Sequence, residues 1–270
     1  MKKIAWGLLF TLLAVQSVFA DEQTLPKAEA EVVKEEPNQV VLPFYSEVIG
    51  FRNSLGNNNY NNQIQLRLYQ PLDFGGGWIM QNRIDTAMVS NSGPRTPYDG
   101  SYFLPGNTRY TGSITTPQVA QDLKLQAGAR VYFPVGSVNP MYSTAQWEIG
   151  PQVGASYTPK DMGPLIAFNP MARYMMGFDP IPANVKDIRG LELYPTLQFK
   201  IADGWRFHMW DENGFTINTR TGRWYAPIDG MIVHDFTKSI TGKLGGTYNM
   251  DQNLTGNTIW SGYAAFLYRF

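Results

Sequence analysis

Cysteine is absent, and charge is scarce: 16% of the 270 residues are Asp, Glu, Lys or Arg. The first absence excludes a disulfide framework, a thiolate metal site and a cysteine nucleophile. Lys+Arg and Asp+Glu both number 22, so no basic excess points to nucleic acid. Beyond the first 20 residues no apolar run approaches the roughly 20 residues of a membrane-spanning helix, which excludes a helical membrane protein. What the chain does have is aromatic residues, at 14%, with 26 Gly and 18 Pro. It is too aromatic and too weakly charged for a disordered chain.

Residues 1–20, MKKIAWGLLFTLLAVQSVFA, have the plan of a secretory signal peptide. Lys2 and Lys3 precede a short apolar core, and Val18-Phe19-Ala20 predicts cleavage before Asp21. Residues 21–41 hold the densest acidic clustering and no aromatic residue. AEAEVVKEE within them could make two helical turns, marginal for an isolated helix, so a solvated periplasmic extension is expected. The remaining residues, 42–270, carry the folded domain.

From Leu42 onward the dominant signal is period two. Leu123, Leu125, Ala127, Ala129, Val131 and Phe133 alternate with Lys124, Gln126, Gly128, Arg130 and Tyr132. Residues 145–157, 191–201, 240–250 and 260–270 repeat the pattern. The chain is therefore all-β. A soluble sandwich would also alternate, but the segments mostly run to about 10–14 residues, suiting strands tilted across a bilayer. Trp78, Tyr157, Trp205, Trp224, Tyr248, Trp260 and Tyr268 gather near segment ends, as amphipathic rings do at headgroup level. The last segment ends Tyr-Arg-Phe; a final strand closing on a Phe resembles the signal by which the barrel assembly machinery receives its clients, so Phe270 is the expected contact with it.

These features predict a transmembrane antiparallel β-barrel in the outer membrane, apolar face to lipid, with strands over 43–54, 63–74, 78–90, 109–116, 122–134, 144–158, 164–178, 189–201, 205–214, 222–234, 239–250 and 258–270. Twelve strands satisfy the even parity of bacterial barrels. With both ends periplasmic, the turns at 75–77, 117–121, 159–163, 202–204 and 235–238 are short. The outer connections 55–62, 91–108, 135–143, 179–188, 215–221 and 251–257 are longer, and 91–108 is the best candidate for a lid or plug.

The face opposite the apolar set holds Arg67, Arg83, Lys124, Arg130, Arg173, Lys200, Arg206, Arg223, Lys243 and Arg269, ten cations, against Glu47, Asp85, Glu148, Glu192, Glu212 and Asp229, six anions. A Lys or Arg on the lipid face costs about 2–4 kcal/mol near the midplane, so these charges belong in the lumen. Such a set can brace a narrow barrel by mutual pairing, or guide solutes with an anionic or zwitterionic group through a low-dielectric channel. Tyr45, Tyr69, Tyr132, Tyr194, Trp210, Tyr225 and Tyr263 share that face and would suit a flat, partly apolar solute or simple packing.

Catalytic motifs are missing. His208 and His234 are the only histidines, and neither has the serine neighbour and outward rim position of an outer-membrane lipase. His208 is expected in the lumen with the charges; His234, beside Asp235, is expected at a periplasmic strand end. No G-x-S-x-G, HExxH or phosphate-loop pattern occurs, and the Asp/Asn/Gly clusters at 211–214 and 251–256 lack EF-hand spacing. No cofactor, metal or enzymatic activity is expected. The readings in play are a passive channel for small solutes, a non-conducting structural or adhesion barrel, and, last, an outer-membrane hydrolase.

The order of short motifs resembles the outer-membrane family named after the meta-pathway of phenol degradation. They are LPFYSE at Leu42–Glu47, Trp147 with Gly150-Pro151, Gly163-Pro164, LYPTLQFKIADGWRF with Pro195, Gly204 and Trp205, and RWYAPIDG with Trp224, Pro227 and Gly230. The resemblance implies a β-barrel transporter linked with uptake of aromatic or other hydrophobic compounds, and it carries no catalytic residues. The 91–108 insertion and the 21–41 extension depart from the pattern.

Overall fold

Alternation becomes architecture through one constraint: a strand with an apolar and a polar face buries the polar one only by closing on itself. The computed structural model describes residues 44–93, 103–135, 146–178, 189–250 and 258–270. They form a closed, all-antiparallel barrel of twelve strands. In chain order these are β1 (Tyr45–Gly56), β2 (Asn59–Asp73), β3 (Ile79–Ser92), β4 (Thr108–Thr115), β5 (Leu123–Phe133), β6 (Glu148–Tyr157), β7 (Leu165–Gly177) and β8 (Arg189–Ala202). They continue with β9, in two pieces (Trp205–Met209 and Phe215–Asn218), β10 (Trp224–Tyr225 and Pro227–Asp235), β11 (Ile240–Asn249) and β12 (Trp260–Arg269). Each pairs with its sequence neighbour, and β12 returns to β1 with Tyr45 opposite Arg269 and Ser54 opposite Trp260. The Phe270 amide donates to the Phe44 carbonyl at 3.0 Å, carrying the seam to the last residue.

The outward face is apolar: Leu244, Val153, Phe266, Ile228 and Ile64 are exposed on it. Aromatic rings mark both ends, among them Phe74, Trp78, Trp205 and Tyr268 at one and Trp147, Trp224, Tyr248 and Trp260 at the other. This is the lipid belt and its girdles. The buried residues are largely polar, and they lie inside.

Two expectations about the connections need correction. The outer connection 55–62 is a hairpin with Asn57 and Asn58 at φ 51 and 57. Two consecutive left-handed residues make the tight turn that matches strand twist, and asparagine tolerates that region. The strands therefore run nearly to the turn. The second concerns 205–214, where the expected strand breaks after Met209 and its pairing resumes at Phe215, inside the expected loop. Of the candidate lid at 91–108, residues 94–102 lie outside the described residues; Leu104–Pro105 adds a short pairing to Met88 and Val89 of β3.

Inside, the wall formed by β1, β10 and β12 carries an apolar cluster of Ile49, Met231, Val233, Tyr263 and Ala265, with Phe51 against it. Gly245 of β11 makes this possible, since a Cβ there would stand 2.5 Å from the Tyr263 ring and 2.6 Å from the Met231 Cβ. The opposite wall, β2 to β8, is left for charge.

Candidate functional site

A cavity of about 470 Å³ lies against that charged wall. Arg67, Arg83, Arg109, Arg130, Arg173 and Lys243 line it, with Asp211 and Glu212 as the acidic members. Strand parity puts them there: Arg67 lies opposite Asp85, Arg109 opposite Tyr132, and Arg173 opposite both Gln152 and Glu192.

The charges are mostly paired. Asp85 accepts from Arg83 at 2.7 and 2.8 Å and from Arg109 at 2.5 Å. Glu47, fully buried, meets Arg67 at 3.1 Å and Lys243 at 2.7 Å. Arg173 donates to Gln152 at 3.0 Å and to Glu192 at 2.8 Å. Three tyrosines stand beside cations, with Arg83 5.5 Å from the Tyr69 ring centroid, Arg109 5.8 Å from Tyr132 and Arg173 5.7 Å from Tyr194. Arg130 differs. Its Nε donates to the Thr111 hydroxyl at 2.9 Å, and it has no ion pair among the described residues.

The lumen is narrowed by the chain itself. Between the two pieces of β9, Trp210–Gly214 leave the wall and fold inward, starting from Trp210 at φ 52. These five residues face three on β8, Tyr194, Pro195 and Thr196. Pro195 has no N–H to offer the ladder, so less is lost where pairing stops. The Trp210 indole donates to the Pro227 carbonyl at 3.0 Å, and the Thr196 hydroxyl to the Trp210 carbonyl at 2.8 Å. Asp229 is the anchor. It accepts from Thr247 at 2.6 Å, Tyr263 at 3.0 Å, the Glu212 amide at 3.3 Å and Asn213 at 3.4 Å. From the inward tip, Glu212 crosses to β2 and takes both terminal nitrogens of Arg67 at 2.6 and 2.7 Å.

The residues expected to line the lumen fall into three groups. Arg67, Arg83, Arg130, Arg173 and Lys243 border the cavity, with Asp85 and Glu192 paired to them. Glu148 is buried on β6, Asp229 holds the inward segment, and His208 faces in with Nδ1 3.2 Å from Asp211. Lys124 is half-buried opposite Ser156, and Arg206 pairs with Asp235 near the end of the barrel where β1 begins and β12 ends. Lys200 and Arg223 do not line the cavity. Lys200 lies two residues before the end of β8, exposed, and its amine meets Asp203 in the following turn at 2.7 Å, holding that carboxyl below its ordinary range. Arg223 is exposed at the tip of the β9–β10 hairpin, where its carbonyl accepts from the Asn218 amide. In both cases the parity is lumenal but the strand has run out of barrel. His234 stacks on Trp205 at 4.0 Å, at that same end.

Sequence reasoning missed Arg109, Asp211 and the apolar inner cluster. Arg109 shares parity with Thr111 and Ser113 on the shortest uninterrupted strand, where alternation has few positions to show itself. In IDGMIVHD, Met231 and Val233 share the face of Asp229 and Asp235, and a search of that face for charge passes over its apolar members.

No protein-family model and no curated protein matches the sequence. Among solved structures, the barrel is similar to the COG4313 outer membrane channel from Pseudomonas putida F1. The TM-score is 0.64 at 11% identity, over 90% of this chain and 100% of that one. It is also similar to the NanC porin, with TM-score 0.52 at 12% identity, over 83% of this chain and 98% of that one. At these identities the likeness is one of fold. Together with the lipid belt it defines the class: a twelve-stranded antiparallel β-barrel of the outer membrane.

Proposed function

We propose that the chain is a passive outer-membrane channel for small solutes, and that its cationic wall favours those bearing an anionic or zwitterionic group. The observation that carries this reading is the cavity, bordered by six cations and two acids. A low-dielectric wall focuses the field of such a set along the route of a permeating ion. The tyrosines beside the cations, and the motif resemblance to the meta-pathway family, extend the solute range to aromatic or hydrophobic compounds. The leader 1–20, the extension 21–41 and an assembly role for Phe270 belong to the same reading.

Planar bilayers test it. Discrete conductance steps with a weak anion preference are expected; a folded, heat-modifiable but silent protein refutes it. That silent outcome is what a structural barrel predicts, and the inward Trp210–Gly214 segment together with the packed apolar cluster favours it as the second reading. For a hydrolase, the group to test is His208, whose hydrogen-bond partner in the described structure is Asp211. Ester or lipid hydrolysis lost on His208→Ala would establish that activity.

A further inference from the structure

We infer that Arg130, with Tyr132 and Tyr194 bordering the same cavity, is a binding subsite for one small aromatic carboxylate; only the ligand's passage through the barrel rests on the channel reading. Arg130 is 7% exposed. Every other cation bordering the cavity has a carboxylate within the barrel: Glu47 and Glu212 for Arg67, Asp85 for Arg83 and Arg109, Glu192 for Arg173, and Glu47 for Lys243. Thr111 fixes the Nε of Arg130, and the residue borders the cavity.

A buried cation without a counter-charge is costly, and a bound carboxylate removes that cost. The guanidinium fork matches a carboxylate in two parallel hydrogen bonds. At Arg130 the site offers one guanidinium without a carboxylate, which matches a single carboxylate group. Tyr132, Tyr194 and Met171 also border the cavity and give the rest of the ligand flat aromatic and thioether surface, which suits a ring more than an alkyl chain. A volume of about 470 Å³ lies within the range of small-molecule sites.

The test uses the purified full chain in detergent, titrated calorimetrically with benzoate, with benzyl alcohol (the ring without the charge) and with acetate (the charge without the ring). Saturable one-to-one benzoate binding, at least about tenfold tighter than either control, is expected, and Arg130→Gln abolishes that preference. Equal binding of benzyl alcohol overturns the subsite, as does unchanged benzoate affinity in an Arg130→Gln protein that keeps its heat-modifiable mobility. If that variant does not fold, the comparison of the three ligands on the unmodified protein decides. Conductance is scored separately. Steps without benzoate binding overturn the subsite alone, and benzoate binding in a silent barrel overturns the channel reading while supporting the subsite.

Discussion

Replacing Glu212 with alanine removes the strut between the inward segment and the far wall. Glu212 and Arg67 share two charge-assisted hydrogen bonds at 2.6 and 2.7 Å, with side-chain exposures of 6% and 5%. Removing one partner of a buried pair costs about 3–5 kcal/mol when the other is stranded. Arg67 is not stranded, because Glu47 remains at 3.1 Å and cavity water can reach the vacated side. About 2 kcal/mol is therefore the reasonable loss, equivalent to an approximately 30-fold rise in the population with the segment undocked. Asp229 still tethers the segment through Asn213 and the residue-212 amide, so the barrel itself stays folded. The assay is single-channel recording, with heat-modifiable mobility as the folding control. Glu212→Ala should show frequent transitions to a higher conductance that are rare in the parent. Current traces indistinguishable from the parent, in a folded variant, refute the strut.

Other perturbations probe the two faces. Gly245→Ala places a methyl against the Tyr263 ring and Met231, and overpacking of that kind costs about 1–3 kcal/mol; the thermal midpoint of the mobility shift should fall accordingly, and no change would show that the inner cluster gives way freely. Leu244→Arg, on the lipid face at the middle of β11, should cost about 2–4 kcal/mol of folding free energy in vesicles, and a neutral result would place that face away from lipid. Deleting Phe270 removes the hydrogen bond to Phe44 and the last ring of the seam. It should lower the yield of assembled barrel in cells more than refolding into detergent, whereas equal losses would point to stability alone.

Much of the barrel was legible because lipid penalises charge: wherever a strand alternates cleanly, as in β5 and β6, one face must be lumenal, and Arg130 and Glu148 followed from parity. Parity has blind spots, and each has a physical cause. It does not register where a strand leaves the bilayer, so parity alone puts Lys200 and Arg223 inside, where the structure shows both exposed. It locates a face without saying what packs on it, so the apolar patch around Met231, on the face of Asp229, is not foretold. It cannot detect an even insertion either. Five residues facing three leave His208 and Thr216 on the same side, and the alternation reads straight through the break. The local signal was there nonetheless: Asp211-Glu212-Asn213-Gly214 is a cluster of turn-formers inside an otherwise regular strand.

That even count also separates two quantities that barrels usually couple. The circumference is set by the number of strands and their stagger, and β9 contributes to it whether or not its middle lies in the wall. The open cross-section is set by how far the excess residues reach inward. Lengthening or shortening this segment by two residues changes the aperture while every other strand keeps its register. A change of one turns everything beyond it inside out, presenting lumenal side chains to lipid. The bore of this barrel can thus be retuned in steps of two residues, without a new strand and without disturbing the seam.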